Sequence, residues 1–146
     1  MSIQELEKEL AELEAKKAEI DARRAEKSAE AELREKVRAA RREIEDAELI
    51  EKYEGELGEL GKDFKAISTD DGVIIMKRPH PATYKRFRDR GKYTTKDVEE
   101  FARPGVVHPD AQKLTDVLNK YPAVLDLLAD AAHDLAVGRS REIAGK

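Results

Sequence analysis

The chain has 146 residues, no cysteine, 41% charged and only 5% aromatic residues, and a formal net charge of −4 at pH 7. This excludes disulfides, a thiol nucleophile and cysteine-ligated zinc, and the overall charge gives no reason to expect nucleic acid or an anionic membrane as partner. The start MSIQELEKEL has neither a basic end nor an apolar run, and the apolar stretches elsewhere are too short to span a bilayer, so a soluble, unprocessed protein is expected.

Met1 to Glu54 contains no Gly or Pro and is dominated by Ala, Glu, Lys, Arg and Leu, the residues of best helix propensity. Ile3, Leu6, Leu10, Leu13 and Ile20 alternate steps of three and four, with Lys17 where another apolar residue would fall, which is the seam of a coiled coil. A second seam follows through Leu33, Val37, Ala40, Ile44 and Ala47, but Leu33 arrives one residue early for the first heptad frame. Ser28 offers a cap for a second helix. Because nothing between the seams supplies Gly or Pro, one continuous helix is the favoured reading, roughly 80 Å long at 1.5 Å per residue. Such a polar rod requires a partner for its apolar seams, and self-association through them is expected.

Gly55, Gly58 and Gly61 mark a glycine-rich joint over 55–62. To Glu54 there are 12 Lys and Arg against 17 Asp and Glu; beyond it there are 16 against 15. The halves therefore differ in charge, −5 before and +1 after.

A small α+β module is predicted over 63–138, with 139–146 as a flexible tail. FKAIS and VIIMKR around TDDG read as a β-hairpin. Pro81 then opens a helix with Tyr84 and Phe87 inward and Gly91 as its stop. Thr94 or Thr95 begins a second, with Asp97 as a weak capping box, Val98 and Phe101 inward, and Arg103-Pro104-Gly105 ending it. A third starts at Pro109 or Asp110 and carries Leu114, Val117, Leu118 and Tyr121. Pro122 opens a fourth with Val124, Leu127, Leu128, Ala131 and Leu135 on one face and Gly138 as stop. The fold class is thus mainly α: a long coiled-coil-like helix plus a hairpin and about four short helices.

Residues 77–96 hold Lys77, Arg78, Lys85, Arg86, Arg88, Arg90, Lys92 and Lys96 against Asp89 alone. Lys77, Arg78, Lys85, Arg86, Arg88 and Arg90 are the candidate partner-binding residues. Phosphate binding needs such a cluster, and Tyr84 or Phe87 would be the stacking platforms. The competing reading, which is favoured, has those two aromatics as the buried face of an amphipathic helix, with the basic face meeting an acidic helix of a partner or of the chain itself. His80, His108 and His133 lack the convergent spacing of a metal site and read as turn and cap residues. Asp126, Asp130 and Asp134 read as a solvated helix face. With no phosphate loop and no nucleophile elbow, no enzyme, cofactor or metal is expected.

DDGVIIMKRPHPATYKRFRD followed by FARPGVVHPDAQKLTDVLNKYPAVLDLLADAA resembles small proteins encoded in the tail gene clusters of tailed bacteriophages and prophages, described as tail assembly chaperones. The resemblance covers roughly residues 64 to 137. It rests on the strand and Arg-Pro turn leading into an aromatic helix (Val73 to Asp89), the segment Arg103 to Asp110, and a Leu-rich helix entered through Tyr121-Pro122. Gly105 and His108 depart from it, standing where Cys and Tyr are expected. The resemblance implies binding of a tape-measure or other tail protein during assembly, in the cytoplasm of a bacterial host or in the virion. It says little about residues 1–54.

Overall fold

The computed structural model describes residues 2–138; the predicted tail 139–146 lies outside them. The chain separates into two compact units, Met1–Ile44 and Glu45–Lys146.

The first unit is helical. Helix α1, Ile3–Leu57, begins after Ser2, whose hydroxyl accepts from the Glu5 N–H at 3.2 Å, and it runs past Ser28 without a break. The favoured continuous helix is the observed one. Its surface carries i,i+3 and i,i+4 pairs such as Arg34–Glu30 and Arg38–Glu35, each worth a few tenths of a kcal/mol.

The predicted joint begins later than the glycines suggest. α1 continues through Gly55 to Leu57, and its turns from Leu49 to Leu57 belong to the core of the second unit. Gly58, at φ +118°, then reverses the chain, and the Asp63 carboxylate accepts from the Glu59 N–H at 2.8 Å.

The hairpin forms as predicted, from β1 Phe64–Thr69 and β2 Gly72–Lys77, with Thr69 opposite Gly72 across Asp70 and Asp71. Thr69 Oγ1 donates to the Gly72 carbonyl at 2.6 Å and accepts from the Asp71 N–H at 3.3 Å, tying the loop. A third strand, β3 Val106–His108, pairs antiparallel with β2, which places β2 in the centre of the sheet. Sequence reasoning missed it, because three residues between a 3-10 turn (Arg103–Gly105) and a helix show no period.

The central position of β2 explains its unbroken apolar run. Val73 and Ile75 join Phe64 and Ala66 on the face covered by Leu49, Ile50, Tyr53 and Leu57 of α1. Ile74 and Met76 enter the larger core with the helices. A strand buried on both faces has no polar side to show.

Four helices build that larger core: α2 Pro81–Arg90, α3 Thr95–Ala102, α4 Ala111–Lys120 and α5 Val124–Val137. Their starts follow local chemistry. His80 Nδ1 accepts from the Ala82 N–H, Thr94 Oγ1 from that of Asp97, and an Asp110 carboxylate oxygen from that of Lys113. Phe87 stacks on Phe101 with centroids 4.4 Å apart, and Tyr84 lies against the same ring. One inward assignment on α5 is corrected: Leu127 is 52% exposed, whereas Leu125 and Ala132 are buried. The inward stripe is Val124, Leu125, Leu128, Ala131, Ala132 and Leu135, because the sheet meets α5 on the side that holds Leu128 and Leu135.

Candidate functional site

Two surfaces are available for binding, one in each unit. In the first unit, every predicted seam residue is exposed: Ile3, Leu6, Leu10, Leu13, Ile20, Leu33, Val37 and Ile44 range from 36 to 75%. Large apolar side chains held in rows at that exposure are out of the ordinary for a finished surface, whereas single ones are not. Around Leu33 and Val37 lies an open groove of about 460 Å³, bordered by Glu30, Arg34, Arg38 and Arg41. The groove is an apolar floor with a charged rim, the shape into which a side chain from another helix inserts.

In the second unit the basic cluster divides into two kinds of residue. Arg78 is a structural clasp: its Nε donates to the Leu135 carbonyl at 3.0 Å and its Nη2 to the Lys62 carbonyl at 3.1 Å, joining the end of β2 to α5 and to the loop before β1. Arg90 bridges α2 to α3 through Asp97, at 3.0 Å, and Glu100. These bonds, Glu100's first and then Asp97's, raise the Arg90 pKa further above its ordinary value. The Asp97 carboxyl is lowered, first by the hydrogen bond from the Thr94 hydroxyl and then by Arg90, with partial burial opposing. Arg88 contacts the neighbouring Asp89 at 3.5 Å and lies 6.0 Å from the Tyr84 ring centroid.

Lys77, Lys85 and Arg86 are exposed and make no ion pair among the described residues. Of the six candidate partner-binding residues these three, with Arg88 at their flank, are the charge that remains for a partner. Sequence spacing gives no sign of this division, since the groups that engage Arg78 are backbone carbonyls of distant segments. Tyr93, 76% exposed with its ring edge-on to Phe87, is a surface aromatic beside the cluster that sequence reasoning did not single out.

Other candidates have structural roles. His80 caps α2. His108 closes β3 beside Tyr53, whose hydroxyl approaches the Val107 carbonyl at 3.5 Å. His133 lies against Tyr84. Asp126, Asp130 and Asp134 are exposed, and Asp134 meets Lys65 at 3.4 Å. Among the described residues no group of three or more His, Asp or Glu is placed to hold a metal ion. No helix among them is long and apolar enough to cross a membrane. A cleft of about 520 Å³ opens between the hairpin loop and the start of α4, lined by Asp71, His108, Asp110 and Lys113 among others. The Asp110 carboxylate there is occupied as a helix cap and Asp71 by Lys120 at 3.3 Å.

No family model matches the chain, and comparison with curated proteins and with solved structures finds no match.

Proposed function

We propose that the chain is a non-enzymatic assembly factor of tailed bacteriophages or prophages, acting like a tail assembly chaperone in the host cytoplasm. It binds tail proteins, such as a tape-measure protein, through helical surfaces and associates with itself through its N-terminal helix. One observation carries the binding part of this reading: two rows of large apolar side chains stand exposed on one helix of a chain whose second unit has its own closed core. A helix so patterned is stabilised mainly by what covers it. The phage part is supported by the likeness of the segments Val73 to Asp89 and Arg103 to Asp110, and of the Leu-rich helix entered through Tyr121-Pro122, to tail-cluster proteins.

Co-expression with the tape-measure protein of the same tail cluster, followed by purification and peptide mass spectrometry of finished particles, tests the proposal. The expected result is a stable complex before assembly and no peptide of this chain in the particle. Persistence in the particle would make it a virion structural component instead. A second reading, nucleic-acid binding, is favoured by exposed Lys77, Lys85 and Arg86, which make no ion pair among the described residues, and by exposed Tyr93. Affinity for single-stranded DNA or RNA that falls steeply with salt and disappears in a Lys85→Ala/Arg86→Ala variant would select that reading.

A further inference from the structure

The two seams of α1 differ in position around the helix as well as along it. At 3.6 residues per turn, the row Ile3, Leu6, Leu10, Leu13, Ile20 and the row Leu33, Val37, Ala40, Ile44 are centred roughly half a turn apart, on opposite faces. They differ in charge too. Over their full lengths, residues 3–20 hold six Glu and three Lys, net −3, whereas 33–47 hold five Lys and Arg against three Glu and one Asp, net +1. Two copies paired in parallel, or through the first seam alone, place like net charges against each other.

We propose that the first seam of one copy docks antiparallel on the second seam of another. Leu6 then lies opposite Ile44, Leu10 opposite Ala40, Leu13 opposite Val37 and Lys17 opposite Leu33, with the same steps of four, three and four on both sides. Leu13 enters the groove floored by Leu33 and Val37. Leu10 against Ala40 sets a large side chain on a small one, as interdigitated layers require. Of the flanking charges, Glu7 meets Arg41 and Glu14 meets Arg34, while Glu9 and Glu43, and Lys16 and Lys36, form like-signed pairs on the other edge. Arg34 and Arg38, now in exposed pairs within their own helix, are held there weakly and exchange partners at little cost. Lys17 covers Leu33 with its methylene stem and keeps its ammonium in water.

Because the seams face opposite ways, a pair cannot bury both at once. Each helix has two neighbours, the contact is heterologous, and association continues beyond the dimer. This deepens the self-association part of the proposed function and names the surfaces that perform it.

Full-length Leu10→Glu/Leu13→Glu and Val37→Glu/Ile44→Glu variants test it by light-scattering mass, with circular dichroism to follow the helix. Wild-type mass is expected to exceed that of a dimer; each variant alone should be a monomer, and an equimolar mixture, which retains one intact copy of each seam, should reach twice the monomer mass. Self-association of either variant alone, or a mixture that stays monomeric, overturns the proposal. Since the chain has no cysteine, an independent check avoids charged substitutions. Oxidation should cross-link a mixture of Leu10→Cys and Ala40→Cys chains but neither alone; cross-linking of one alone, or of no sample, overturns it. A monomeric wild type that still captures a tape-measure protein would refute this pairing and leave the assembly reading standing.

Discussion

Arg78 and Lys77 are neighbours in one basic pair, yet only Arg78 is bonded into the fold. Its two hydrogen bonds to backbone carbonyls predict that Arg78→Ala lowers the stability of the second unit by about 1 to 2 kcal/mol in urea titration. Lys77→Ala and Lys85→Ala should stay within about 0.5 kcal/mol while weakening any partner bound by charge. Gly105 is set by contact: a Cβ there would lie 2.9 Å from the Lys77 carbonyl oxygen, so Gly105→Ala must push β3 from β2, at about 1 to 3 kcal/mol. Asp97 gives a pH prediction. Its lowered pKa means that its bonds to Thr94 and Arg90 stabilise α3 fully above the ordinary carboxylate range, and that this contribution is lost as pH falls through the depressed value. Carboxyl titration by NMR should find the Asp97 pKa rising in Thr94→Ala and in Arg90→Ala, since both partners hold the carboxyl down.

At the scale of elements, local chemistry was a sound guide wherever it was sufficient to start or stop a segment. Pro81 after His80, Thr94 three before Asp97, and Gly91 in the left-handed region delimit their helices without help from distant residues. Gly55 failed as a stop signal because Leu57 beyond it gains burial against the sheet, which outweighs a helix cost for one glycine of about 1 kcal/mol. The consequence is measurable. A fragment beginning at Glu45 should unfold cooperatively, whereas one beginning at Lys62 loses Leu49, Ile50, Tyr53 and Leu57 from one face of the sheet. The shorter fragment should melt at much lower temperature or bind a hydrophobic dye as prepared. On α5 the interior is best tested at Leu128, which is fully buried: Leu128→Ala should cost about 2 to 5 kcal/mol, and Leu127→Ala, at an exposed position, less than 1.

For the molecule as a whole, the sequence by itself determined that the chain is mainly helical, that an uninterrupted helix precedes a small α+β module, and where most helices begin. It also showed where large apolar side chains recur along the long helix, and these stand exposed. These features depend on neighbours within one turn or one hairpin, so composition, spacing and caps suffice. Tertiary structure alone decided that β3 pairs with β2, that the last turns of α1 roof the sheet, that Leu125 replaces Leu127 inside, and that Arg78 and Arg90 are engaged while Lys77, Lys85 and Arg86 are not. Most depend on groups from distant parts of the chain, such as the carbonyl of Leu135 that Arg78 meets, and the Arg90 pair with Glu100 depends on how α2 packs against α3. Burial and hydrogen bonding at such contacts are many-body results of packing, and no local period in the sequence encodes them.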